Sequence, residues 1–216
     1  MNVLDDIDQL PDGKNLLLAL CDGKALTTTE INRKQKTNFT EEVLENLVEK
    51  GILKSRVEHR RVYYFLSGKT MSEALKLKYV QEQLRHQKLP QGMKYCRHCY
   101  RHLAGFLGVK IENALVNQQI LIRKDDSWSY EISEKGTVWF KNLGIDVTKF
   151  ETFDRKTVKQ CLDFSERKSH LGGKLGDALL ACFFQKGFVI QIDNSREIQF
   201  TTKGKQFLEE KLGLSV

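Results

Sequence analysis

Proline is almost missing from this 216-residue chain, with two in all, and its 15 glycines are scattered. That excludes collagen-like and Pro-rich low-complexity classes. No run approaches the ~20 apolar residues of a membrane span. The longest apolar clusters, residues 16–21 and 178–184, have the length of core helices. Residues 1–9 hold three aspartates and no basic stretch, so a secretory signal is not expected. A cytoplasmic protein without a membrane partner is therefore expected. Five cysteines, an odd number, then read as reduced thiols and not as a disulfide framework. Nucleophile elbow, phosphate loop and HExxH are all lacking, and the glycines at 105, 108, 172, 173 and 176 form no GxGxxG after a strand. Cys99 with His102, or Ser165-Glu166 with His170, could be assembled into a nucleophile and base only on paper, and no enzyme is expected. An acidic excess is lacking as well. Lys plus Arg number 35 against 28 Asp plus Glu, a net charge of +7. That balance suits a polyanionic partner such as nucleic acid, and is also common in proteins that bind none.

What is present is a repeat. His102-Leu103-Ala104-Gly105-Phe106-Leu107-Gly108 matches His170-Leu171-Gly172-Gly173-Lys174-Leu175-Gly176 at five of seven positions, 68 residues apart. The step holds for Ile122 and Ile190, and for Lys135-Gly136 and Lys203-Gly204. It also runs backwards, from residues 187–189 to 119–121 to 51–53. Three copies of one plan follow: amphipathic helix, short strand, turn, second strand, helix.

The first copy is the fullest. Residues 16–21 belong to a helix broken by Asp22-Gly23. Thr27-Thr28-Thr29 caps a short helix toward Lys36, and Thr40 caps a second, since hydroxyls satisfy free N–H groups at helix starts. Val43, Leu44, Leu47 and Val48 line one face of that second helix, and Gly51 ends it. Residues 52–55 and 62–66 read as strands joined by residues 56–61. The order is a winged helix-turn-helix, whose hairpin wing commonly rests on a DNA backbone. Residues 67–87 read as one long helix with Met71, Ala74, Leu75, Leu77, Val80 and Leu84 on a stripe. That stripe is wide for a lone surface helix and points to a homodimer, the alternative being burial against the C-terminal region within one chain. The linker is Leu89-Pro90-Gln91-Gly92. The expected fold is mostly α with small β-hairpins, an α+β chain. An N-terminal domain covers 1–88, and a C-terminal region, 93–216, holds two winged-helix-like repeats, about 93–150 and 155–216. Their helices are expected from about Val109 to Asn117 and from about Leu175 to Lys186.

Double-stranded DNA needs donors for phosphates and base edges. The second helix offers Glu41, Glu42, Glu45 and Glu49 with Lys50 alone basic, which is poor chemistry against phosphate. Donors gather instead at Arg33, Lys34, Lys36, Asn38 and Thr40, and in the wing at Arg56, His59, Arg60 and Arg61. The alternative is a winged-helix protein-interaction module whose charges are merely solvated. Cys99 and His102, three apart and on one face if helical, and Cys161 and His170, which precede the second repeat in the same way, suit a soft divalent ion. Zinc, cadmium and lead all fit, and no second CxxC completes a zinc ribbon. Buried core cysteines and a hydrogen-bonded histidine are the plain alternative.

Cys99-Tyr100-Arg101-His102-Leu103-Ala104-Gly105, the run Cys161-Leu162-Asp163-Phe164-Ser165-Glu166-Arg167-Lys168-Ser169-His170-Leu171 and the first-copy pattern together resemble the ArsR/SmtB type of bacterial winged-helix regulators. The likeness is to long members with a C-terminal extension. It implies a homodimeric DNA-binding transcription factor, usually a repressor released by a ligand, often a metal. The cysteine pairs that metal-sensing members carry on the recognition helix are absent here, so a metal signal would need other ligands.

Overall fold

The structure is a computed structural model that describes residues 3–58, 60–85, 90–124, 127–150 and 157–216. The chain is α+β, with ten helices and small antiparallel sheets among the described residues. It divides into two compact units, Met1–Lys88 and Leu89–Val216, each with its own apolar core.

Unit 1 opens with α1 (Val3–Asp8) and α2 (Gly13–Leu20), which bury Ile7, Leu16, Leu17 and Leu20. Thr27 then starts α3 (Thr28–Gln35) with a capping box: its Oγ1 accepts from the Glu30 N–H, and Glu30 accepts from the Thr27 N–H. Thr40 caps α4 (Glu41–Glu49) in the same way, accepting from Val43 N–H. Leu44 and Leu47 go into the core, and Gly51 turns the chain away at φ +71°. β1 (Leu53–Glu58) and β2 (Arg61–Leu66) pair antiparallel with Arg56 opposite Tyr63 and Glu58 opposite Arg61. Leu26 adds a bridge to Tyr64, exchanging both backbone hydrogen bonds. The strands run further than the sequence reading had them, so Arg56 lies within β1 and not in the connecting loop.

The long helix expected over 67–87 is instead two helices, α5 (Gly68–Ala74) and α6 (Lys78–Arg85); residues 86 and 87 lie outside the described residues. At about 100° per residue, Ala74 and Val80 would point roughly 120° apart on one helix. Both are fully buried, and the break lets each reach the core. The tight bonds from Lys76 N–H to Glu73 and from Leu77 N–H to Ala74 make the corner. α5 then lies on α1, and α6 on α2.

Unit 2 carries the repeat. The hairpin β3 (Arg97–Cys99) and β4 (His102–Ala104) leads directly into α7 (Gly105–Asn117). After β5 (Leu121–Lys124), β6 (Ser129–Ile132) and α8 (Glu134–Leu143), the plan recurs. The second hairpin is β7 (Lys159–Leu162) and β8 (Ser169–Gly172), followed by α9 (Gly173–Gln185), β9 (Val189–Gln191), β10 (Ile198–Phe200) and α10 (Thr202–Leu212). Both long helices begin earlier than the expected Val109 and Leu175. Gly105 (φ +80°) and Gly173 (φ +71°) take a left-handed corner that carries the strand straight into a helix. A turn residue at positive φ closes the helix in all three copies: Gly51, Gln119 and Gly187. The residue after it donates back five positions, from Ile52 to Leu47, Ile120 to Leu115 and Phe188 to Phe183, each at 2.9 Å. Ser67, Ser133 and Thr201 cap the closing helices, and their N–H groups reach Ile52, Ile120 and Phe188. β5 to β8 form one four-stranded sheet in that order, through the Ser129–Lys159 pairing.

Candidate functional site

Two places in the molecule collect the singled-out side chains. The first is the donor-rich face of unit 1. Arg33, Lys36 and Asn38 are exposed around the α3–α4 turn, and Arg60 and Arg61 at the tip of the β1–β2 hairpin. Thr40 is exposed, but its hydroxyl is engaged as the α4 cap. Three side chains turn out to be committed to the fold. Arg56 is 6% exposed, with Nη2 2.6 Å from Glu58, because its strand position faces inward. Lys34 Nζ donates to the Ala19 carbonyl at 2.6 Å and to Asp22 at 3.3 Å, where it meets the C-terminal end of α2. Asn32 clamps the turn: its Oδ1 accepts from Phe39 N–H and the Thr37 hydroxyl, and its Nδ2 donates to the Phe39 carbonyl. His59 lies outside the described residues. The exposed face of α4 carries Glu41, Glu42, Glu45 and Glu49. Lys50, beyond its end, pairs with Asp6 at 2.9 Å.

The second place lies inside unit 2. Cys99, His102, Cys161 and His170 converge there, each offering one donor atom, with all four atoms within 4.8 Å of one another. Cys99 and His102 do not share a helix face. They are a cross-strand pair of β3–β4, and Cys161 and His170 are the corresponding pair of β7–β8. A two-residue turn with Tyr100 at φ +54° makes the first hairpin possible. The helices trade places under the hairpins: α7 packs on β8, and α9 on β4. Gly108 therefore sits below His170, and Gly176, its equivalent 68 residues on, below His102. A Cβ on Gly176 would lie 3.2 Å from His102 Cδ2, and one on Gly172 2.8 Å from Cys161 Cβ. The glycines of the repeat thus make room for the imidazoles.

Each histidine has a carboxylate behind it. His102 Nε2 is 3.2 Å from Asp177, and His170 Nδ1 is 3.7 Å from Asp163. His102 Nδ1 and both ring nitrogens of His170 are buried without a hydrogen-bond partner. The polar hydrogens of Cys161, then of His102 and His170, face the Cys99 sulfur and favour its thiolate. They hold its pKa down to about 2 against the opposing push of burial, although no ring nitrogen meets full hydrogen-bond geometry.

Asp163 ties the hairpins together. It accepts two 2.8 Å bonds from Arg97 Nη2, and bonds from the N–H groups of Gly105, Ser165 and Glu166. Burial pushes its carboxyl up. The Glu166 and Gly105 N–H groups and the Arg97 guanidinium outweigh that and hold it below the usual carboxylate range. Ser165, a paper nucleophile, is spent here: it donates to Asp163 and accepts from Arg97, both at 3.0 Å. Sequence reasoning missed Arg97 and Asp177. Nothing local marks them, since Asp177 has no counterpart at the 68-residue step and Arg97 meets Asp163 across 66 residues.

The five cysteines form no disulfide. Cys96 is 1% exposed, and burial pushes its thiol up to about 12. Because the thiolate is the nucleophile, iodoacetamide at neutral pH with a chelator present should label Cys99 well before Cys96. Peptide mapping by mass spectrometry reads the order; equal rates would contradict this account.

No family model matches the chain, and no solved structure does. A curated relative does. The protein named uncharacterized HTH-type transcriptional regulator YdfF, of Bacillus subtilis (strain 168), is 28% identical over 216 residues. The alignment covers 95% of this chain and 94% of the relative, so both units and the Cys/His cluster fall within the span of one similar protein. No described helix is long and apolar enough to cross a membrane.

Proposed function

We propose that this chain is a DNA-binding transcription regulator whose first unit is a winged helix. The observation that carries the reading is the order α2, Leu26 bridge, α3, turn, α4, β1–β2, with exposed donors at both places where such a unit meets a duplex. Arg60 and Arg61 sit on the wing tip; Arg33, Lys36 and Asn38 flank the turn. A relative named as an HTH-type transcriptional regulator, colinear over nearly the whole chain, supports the same reading. Phosphate contact supplies the affinity here. The acidic outer face of α4 keeps that helix from lying deep in a groove without a counter-charge.

The regulator acts as a homodimer, which sets two wings on one two-fold site. Ala74 and Val80 are used inside unit 1, so the pairing falls to outward positions such as Leu75, 42% exposed. It is a repressor released by a ligand received in the second unit. Light scattering at micromolar concentration should give twice the chain mass, and a monomer would refute the pairing.

A mobility shift on DNA upstream of the gene, repeated across a salt series, tests DNA binding. Arg60→Ala/Arg61→Ala removes four phosphate contacts per dimer. The slope of log affinity against log salt should then flatten by about 3.6, and binding should weaken alike on all sequences. No shift at low salt would overturn the reading. It would favour a protein-interaction module, for which the Glu41, Glu42, Glu45 and Glu49 face is the specific support.

A further inference from the structure

We propose that Cys99, His102, Cys161 and His170 are the four ligands of a closed tetrahedral zinc(II) site that latches the β3–β4 hairpin to the β7–β8 hairpin. The site lies wholly within unit 2 and does not depend on DNA binding.

Three independent observations point to an ion. First, four soft or borderline donors from two separate hairpins meet within 4.8 Å. Zinc bonds of about 2.0–2.3 Å at tetrahedral angles need donors about 3.3–3.8 Å apart, so a closure of at most about 1.5 Å completes the shell. Second, buried ring nitrogens on both histidines have no hydrogen-bond partner. Such groups are rare in folded proteins because each forfeits its hydration, and a missing ion is one of the few explanations for them. Third, a carboxylate stands behind each imidazole, Asp177 at 3.2 Å and Asp163 at 3.7 Å. At His102 that contact orients the ring and raises its basicity toward a metal; at His170 the carboxylate is too far for a hydrogen bond and acts through its charge alone. Simple core packing accounts for none of the three. It would leave uncompensated polar atoms beside two thiols, in a place the repeat glycines have been kept small to form.

The donor set also selects the ion. Two thiolates and two imidazoles in a tetrahedral S2N2 arrangement are the signature of zinc. Cadmium and lead gain less from imidazoles than from further thiolates. Four protein ligands leave no open position, which marks a structural centre and not a catalytic one. Binding requires both thiols to be ionised and releases their protons. The ion then cross-links strands that come from residues 97–104 and 159–172, beside the Arg97–Asp163 pair.

Elemental analysis of the full-length protein, purified without chelator, should find one zinc per chain. Cobalt added to the chelator-stripped protein should give the ligand-field absorption of four-coordinate cobalt together with thiolate-to-cobalt charge transfer. In competition with a chromophoric chelator, Cys99→Ser and Cys161→Ser should bind zinc at least about 100-fold more weakly. Asp177→Asn touches no ligand atom of the ion, and Asp177 is partly exposed, so folding is preserved; it should cost about 10–100-fold. Zinc should raise the unfolding midpoint of the parent, and of Asp177→Asn by less. Zinc well below one per chain that the stripped protein fails to recover would overturn the proposal. So would a Cys99→Ser/Cys161→Ser chain that binds as tightly as the parent, or cobalt spectra without thiolate charge transfer.

Discussion

Asp163→Asn should destabilise the second unit by about 3–5 kcal/mol, the cost of leaving one member of a buried ion pair uncompensated. The side chains of Asp163 and Arg97 are 0% and 8% exposed, so solvent screens little of the loss. Asparagine keeps the volume but cannot balance the guanidinium, and its amide brings donors to a place where the Gly105, Ser165 and Glu166 N–H groups already point. Arg97→Met should cost less, because the carboxylate keeps those three N–H bonds. Both tryptophans, Trp128 and Trp139, belong to unit 2. Their fluorescence in a urea titration therefore reports this unit alone. A midpoint for Asp163→Asn equal to the parent's, or above that of Arg97→Met, would show that Asp163 is not the tie between the hairpins.

The second large effect belongs to the repeat glycines. A Cβ on Gly136 would overlap the Ile120 carbonyl oxygen, and one on Gly204 the Phe188 carbonyl oxygen. These carbonyls also accept from Ser133 and Thr201 N–H, at 3.3 and 3.0 Å. Alanine must push the helix start away from the turn it closes on. The helix-propensity gain of alanine over glycine is about 1 kcal/mol. Backbone overlap that side-chain motion cannot relieve costs about 3 kcal/mol or more, so the clash wins. Gly204→Ala and Gly136→Ala should each unfold unit 2 at clearly lower urea. Gly68→Ala, where no atom lies within 4 Å, should be neutral or stabilise unit 1 by up to about 1 kcal/mol. Circular dichroism resolves the unit 1 change, and a stabilised Gly204→Ala would sink the argument.

Much of the fold was legible because its determinants are local. Thr27 and Thr40 are caps wherever a helix follows, and the Val43, Leu44, Leu47, Val48 stripe needs only the 3.6-residue period. The 68-residue step carried the same plan into unit 2, where the structure shows positive-φ closures at Gln119 and Gly187 and caps at Ser133 and Thr201. The composition of the Cys/His group could also be read, since those four residues precede the two repeat helices. What the residues could not say was how they meet. Cys99 and His102 look equally well placed on one helix face or across one hairpin. The hairpin is decided by the Tyr100 turn together with Asp163, which holds Arg97 and the Gly105 corner. The long helix over 67–87 failed for a related reason. Its stripe satisfies helical periodicity, but Ala74 and Val80 must both reach a core built by α1 and α2, and only a break between them allows it. Arg56 and Lys34 have the charge of phosphate contacts, yet a strand register buries Arg56 and the end of α2 engages the Lys34 ammonium. Sequence alone determined what each segment can be, because capping and periodicity act within one turn. Tertiary structure decided which side chains share a site, because α7 lies on β8 and α9 on β4, and no local interaction encodes that exchange.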